Sequence, residues 1–116
     1  MRSLLVFAAL LIVAGLLIAL ALPVESVGAL SSDGAQLFDL HCAGCHPNGG
    51  NIIRRGRSLK LKDLSKRGLD NPEAIAAIAK EGIGQMSGYG EALGEGNEQV
   101  VGDWVWLQAQ NAWIQG

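Results

Sequence analysis

The chain has 116 residues, of which 49% are hydrophobic, a formal net charge of −2 at pH 7 and a sequence pI near 5.6. These values suit one small domain and argue against a strongly basic nucleic-acid binder. The mean hydropathy of +0.25 comes mostly from one end of the chain.

That end is residues 4–22, an unbroken apolar run with Arg2 as the only charge before it and Pro23 and Glu25 after it. The basic start and the small residues downstream read as a secretory signal peptide. Two cuts have small side chains at −3 and −1: after Ala21 (Ala19, Ala21) and after Ala29 (Val27, Ala29). The second is preferred, because Pro23–Ala29 reads as an extended polar segment before the cut. Residues 1–29 would then be the signal and 30–116 the mature domain. Retained instead, the run is long enough for a membrane anchor. Either way the remainder is exported, with Arg2 left on the cytoplasmic side.

The exported part predicts four short helices, with no alternating strand pattern and no repeat. The first spans about Ser32–Gly44, capped by Ser32 or Asp33, with Leu37, Phe38 and Leu40 apolar. A loop rich in Gly and Asn follows, then a short basic helix, "LKLKDLSKR", stopping at Gly68. The third helix has Asn71 as N-cap, Pro72 at its first position and Gly82 as its stop. Its apolar face includes Ile75, Ile78 and Ala79. A glycine-rich loop carries Met86, and the last helix covers about Asn97–Ala112, with Val101, Trp104, Val105 and Gln108 on one side. Gly102 in its interior is costly unless another backbone comes close.

The only two cysteines and the only two histidines fall within "HCAGCH", residues 41–46. Cys42-Ala43-Gly44-Cys45-His46 is a C-x-x-C-H sequence, the attachment pattern for c-type haem. Two thiols three positions apart can reach both vinyl groups of one porphyrin, and the next residue, His46, is carried beneath the ring to bind iron. Rival readings are weaker. A thioredoxin-like pair expects a βαβ context. A zinc site could draw on Cys42, Cys45, His41 and His46, but four donors in one short segment surround a metal poorly. A disulfide across so short a loop stabilises little. For the sixth iron position Met86 is the candidate, the one methionine besides the initiator. His41 precedes His46 in the same helix and should lie on the proximal side.

The exported part resembles the class I c-type cytochromes, and among them cytochrome c6, most nearly the c6-like (c6B/c6C) branch of cyanobacteria. The resemblance runs from "DGAQLF" through "CAGCHPNGGNIIRRGRSLKL" and "EAIAAIAKEG" to "MSGY" and the last helix. It implies an all-α class I cytochrome c fold, about four short helices around one covalently attached haem, preceded by the hydrophobic signal helix. It also implies that the first and last helices cross near Gly34, Phe38 and Trp104, with Gly102 marking the close approach. Asn51 and Arg57 match positions near a haem propionate, where a guanidinium suits a carboxylate. Three departures stand out: Ser87 where photosynthetic c6 usually has Pro, Gly94 and Gly96 at the start of the last helix, and Ile78 in place of a Gln directed toward the haem.

The reading is a small soluble one-electron carrier with one haem c, not an enzyme, acting in the thylakoid lumen or periplasm. Cys42 and Cys45 attach the haem, His46 and Met86 bind its iron, and Asn51, Arg57 and Ile78 line it. With both axial positions filled, no site at iron is left for oxygen or peroxide. The partners expected are redox proteins: a cytochrome b6f-type complex, a photosystem or a terminal oxidase. The membrane is involved only through an uncleaved N-terminus. The alternative is a membrane-tethered haem subunit of a larger oxidase or dehydrogenase; a peroxidase or ligand sensor would need Met86 to leave the iron. Charge is segregated, with Arg54, Arg55, Arg57, Lys60, Lys62, Lys66 and Arg67 against Asp63 alone over residues 54–67, and an acidic stretch from Asp70 to Asp103 broken by Lys80. Such a dipole could orient docking.

Overall fold

The computed structural model describes residues 27–114. The apolar run 4–22 and the alternative cut after Ala21 lie outside the described residues. The first helix, α1 (Val27–His41), is followed by 3-10 turns at Pro47–Gly49 and Arg55–Arg57, then α2 (Leu61–Lys66) and α3 (Pro72–Glu81). A two-residue antiparallel pair, β1 (Gly82–Ile83) and β2 (Met86–Ser87), precedes α4 (Gly90–Leu93) and α5 (Asn97–Gln110). Among the described residues no helix is long and apolar enough to cross a membrane.

Boundaries set by local chemistry fall where the sequence places them. Asn71 Oδ1 accepts the Ala74 N–H at 2.8 Å, Pro72 opens α3, and Gly82 closes it at φ 77°, a conformation that favours glycine. The start of α5 at Asn97 is also as expected. Other boundaries move. α1 begins at Val27, so neither Ser32 nor Asp33 caps it, and Val27–Ala29 before the preferred cut is helical. It also stops at His41 instead of Gly44, because the Cys42 and Ala43 N–H groups both turn back to the Phe38 carbonyl. α5 ends at Gln110, since Ala112 and Trp113 take positive φ (53° and 58°).

Two pieces of the glycine-rich segment are ordered where a loop was expected. Met86 sits in the β1–β2 hairpin, paired across from Ile83. Among the described residues the short α4 makes a fifth α-helical segment, drawn inward by Leu93, which is 4% exposed, and anchored where the Tyr89 N–H donates to the Ala79 carbonyl at 2.8 Å.

The core is formed by α1, α3 and α5, with α5 packed against both of the others. Phe38, Trp104 and Trp113 form an aromatic cluster with ring centroids 4.9–5.7 Å apart, beside fully buried Val101, Val105 and Leu64. The crossing of α1 and α5 is marked by Gly34, where an added Cβ would run into Trp104. Gly102 marks a different approach from the one expected: its Cβ would come 2.7 Å from the Pro72 carbonyl and 2.8 Å from Ala76 Cβ. The glycine that lets a backbone come near α5 therefore faces α3, which carries one wall of the site.

Candidate functional site

The turn after α1 builds the first wall. The Cys45 and His46 N–H groups both return to the Cys42 carbonyl (3.1 and 2.9 Å), continuing a helical turn that brings the two cysteines and His46 to one cavity. His46 is buried, 8% exposed, and its Nδ1 lies 2.7 Å from the Gly50 carbonyl. A carbonyl can only accept, so Nδ1 carries a proton, and in the neutral ring Nε2 then keeps its lone pair, the arrangement that fixes an imidazole for metal ligation. Met86 reaches the same cavity from the β1–β2 hairpin, half-buried, and Ile78 lines it from α3.

The cavity measures about 300 Å³ and is mainly apolar, bordered by Phe38, Leu59, Leu64, Ile75, Val101 and Val105 among others. Its size sits at the lower edge of the ~300–1,000 Å³ usual for cofactor sites. Asn51 and Arg57 both border it. Asn51 also organises its own loop: Oδ1 accepts from the Ile53 and Arg54 N–H groups (2.9 and 2.8 Å) and Nδ2 donates to the Arg57 carbonyl at 3.0 Å. Every sequence-predicted site residue thus meets at one cavity.

The donor set suits covalent haem better than the rivals. Cys42 and Cys45 are both free thiols. Burial, and then the neighbouring Cys45, pushes the Cys42 thiol up to about 11. That burial sets Cys42 apart from the low-pKa thiol of a redox-active pair. Among the described residues no group of three His, Cys, Asp or Glu side chains is placed to hold a metal ion. An apolar cavity with two thiols at its edge, an imidazole with a fixed lone pair and a thioether within it fits a c-type haem.

His41, expected beneath the ring, borders the cavity and lies 6.3 Å from Tyr89 between ring centroids. Arg54 and Arg67 border it as well, although the sequence places them only in a basic stripe. Arg67 is half-buried: Nη2 donates to the Ser58 carbonyl at 3.0 Å and Nε to the Asp63 carbonyl at 3.3 Å. The Asp63 carboxylate is held by the Ser58 hydroxyl at 2.6 Å and the Ser58 N–H at 3.2 Å. That hydroxyl bond, assisted by the Ser58 N–H, Lys66 and Arg67, keeps the Asp63 carboxyl below the usual aspartate range despite an opposing desolvation effect.

The family profile described as "Cytochrome C oxidase, cbb3-type, subunit III" matches residues 29–105. A cytochrome c6-like protein of Nostoc sp. is 49% identical over 81 residues, covering 70% of this chain and 73% of that one. The crystal structure of cytochrome c6B from Synechococcus sp. WH8102 aligns with a TM-score of 0.72 and 63% identity, over 79% of this chain and 100% of the other. This chain belongs to the cytochrome c6-like family. The crystal structure of cytochrome c6C from Synechococcus sp. PCC 7002 aligns less extensively, with a TM-score of 0.65 and 48% identity over 68% and 96% of the two chains.

Membership fixes the class I cytochrome c fold, one covalently attached haem c, and a role as a soluble electron carrier rather than an enzyme. The profile's description names an oxidase subunit, but the relatives that span most of this chain are c6 cytochromes, so the membrane-tethered alternative is not favoured.

Proposed function

We propose that this c6-like cytochrome holds its haem through thioethers at Cys42 and Cys45, with His46 and Met86 on the iron, and carries electrons between membrane redox complexes in a thylakoid lumen or periplasm. The observation that carries the ligand assignment is the fixed His46 tautomer, set by the 2.7 Å contact to Gly50, facing a cavity that Met86 also enters. When bound, the haem supplies an iron that takes up and gives back one electron. The chain supplies attachment, an apolar wall that excludes water, and fixed charges and dipoles. A reductive titration followed by visible spectroscopy tests the assignment. One-electron behaviour with a low-spin, sulfur-ligated spectrum is expected, and a high-spin spectrum that binds small ligands would overturn it.

The exported chain is proposed to begin at Leu30, after cleavage following Ala29. An intact mass from the native membrane system that retained residues 1–29 would contradict this. The partners are proposed to be a cytochrome b6f-type donor and a photosystem or terminal oxidase acceptor. Arg55 and Lys62 are exposed and lie outside the cavity lining, so they test docking without disturbing the haem wall, as Arg54 would. Reversing both charges should slow association with an acidic partner, and the deficit should shrink as salt screens it. Equal rates at low salt would leave this face as plain solvated surface.

Ile78 bears on which acceptor is served. It is half-buried in the cavity wall on α3. A glutamine there could turn its N–H end toward the iron and oppose the extra positive charge of the oxidised state. Ile78→Gln should therefore raise the midpoint potential with unchanged axial ligands. A hydrogen-bond-sized effect of about 1 kcal/mol corresponds to roughly 40 mV for one electron. A fall would refute the amide argument and, with it, the reason to separate this protein from carriers that feed a photosystem.

A further inference from the structure

We infer that Arg67 sets the midpoint potential of this cytochrome, as a guanidinium clamped in the cavity wall that keeps a fixed positive charge facing the haem. The inference rests on the cavity assignment proposed above.

Seven basic residues occupy the stretch 54–67, and most of them are exposed side chains whose charge water screens. Arg67 differs in two respects. It borders the cavity, as Arg54 and Arg57 do, but is half-buried where they are exposed. Its position is imposed, because two of its N–H groups are spent on the Ser58 and Asp63 carbonyls, which leaves the long side chain little rotational freedom. No carboxylate of the described residues lies within ion-pair distance of it, so the nearby Asp63 charge offsets its own only in part. Among the described residues the one ion pair within 4.0 Å joins Lys80 and Glu98, and the nearby Asp63 carboxylate is engaged by Ser58 instead.

Burial, and then the like charge of Arg57, pull the Arg67 guanidinium down from its ordinary value against the opposing charge of Asp63, which indicates a group partly stripped of solvent. It nevertheless stays protonated throughout, as arginine does in proteins. The wall thus presents a constant positive charge in a medium where Coulomb forces are stronger than in water. The reaction it biases is the gain of one electron at iron, with no bond formed or broken and no proton moved. A nearby positive charge disfavours the oxidised iron, which carries one more positive charge, and so favours reduction. The sign holds if Arg67 also attracts a haem carboxylate, since removing the guanidinium would then expose that negative charge and stabilise the oxidised form.

Spectroelectrochemical titration of the holoprotein and of Arg67→Gln, Arg67→Lys and Lys66→Gln tests this. Lys66 neighbours Arg67 in the chain but is exposed and outside the cavity lining. Arg67→Gln should shift the equilibrium with a fixed mediator on the order of three- to tenfold toward the oxidised form, the upper end being about 59 mV. Arg67→Lys, which keeps the charge but loses the forked anchor, should stay near the native potential while melting earlier, and Lys66→Gln should leave the potential in place. An unmoved potential in Arg67→Gln with an intact haem spectrum would overturn the inference. So would equal falls in the Gln and Lys variants that track their loss of thermal stability, because Arg67 would then act only as a structural tie. Absence of a haem c spectrum from the native holoprotein would instead overturn the cavity assignment itself, and the inference with it.

Discussion

Met86→Ala should leave the haem covalently attached while emptying its sixth position. The proposed attachment runs through Cys42 and Cys45, which belong to the turn after α1 and owe nothing to the β1–β2 hairpin. The proposed iron–sulfur bond depends on one thioether in that hairpin, where Met86 pairs across from Ile83. Three changes are expected together: loss of the sulfur-to-iron charge-transfer band in the oxidised protein, binding of small ligands that the native protein resists, and a lower potential. Axial ligands move haem potentials over about 0.8 V, so a drop on the order of 0.1–0.3 V is reasonable. His41 borders the same cavity and is the nitrogen donor that could complicate the result. The double variant with His41→Gln separates the cases, since ligand binding that appears only there would mean that His41 has moved onto the iron. Survival of the charge-transfer band in Met86→Ala would remove Met86 from the iron altogether.

The parts of this molecule that were legible in its sequence are those decided within a few residues. Asn71, Pro72 and Gly82 bound α3 because capping, fixed φ and positive φ are local properties. Cys42, Cys45 and His46 are legible for the same reason, since one helical turn suffices to bring them to one wall. Gly102 was legible as a close approach but not as an approach to α3, because its partners, Pro72 and Ala76, are distant in sequence and no periodicity names them. The turn Gly90–Leu93 read as loop because glycines flank it; burial of Leu93, a tertiary effect, makes it helical. Arg67 read as one cation in a stripe, and only the fold separates it from its exposed neighbours by turning it against Ser58 and the cavity. The β1–β2 hairpin depends on pairing whose four residues show no alternation long enough to detect.

Trp113→Ala should cause a larger loss of stability than most core changes here, and should loosen the haem site as well. Trp113 is 3% exposed, packs against Phe38 and Trp104, and fills the space beside Gly49, where a Cβ would collide with its indole ring. The chain accepts an uncommon backbone conformation to place it, with positive φ at both Ala112 and Trp113. For non-glycine residues that costs roughly 1–2 kcal/mol each, so the buried ring must return more than this. Removing a buried tryptophan typically costs about 3–5 kcal/mol. In a domain of this size that corresponds to a fall of at least ~12 °C in Tm. The site is affected because Trp113 Nε1 donates to the Leu59 carbonyl at 3.1 Å, while the Leu59 N–H donates to Gly49 at 2.8 Å and the Gly49 N–H to the His46 carbonyl at 3.1 Å. The indole therefore braces the loop whose Gly50 carbonyl fixes the His46 ring. Trp113→Phe keeps most of the ring contact and gives up the Leu59 hydrogen bond, a loss of about 1 kcal/mol. Thermal melts of the holoprotein, read at the haem band and by circular dichroism, should rank native, Phe and Ala in that order. If Phe proves as damaging as Ala, the N–H bond to Leu59 rather than ring burial holds this corner; if Ala melts within a few degrees of native, the positive-φ turn has no stabilising consequence and the brace on His46 does not exist.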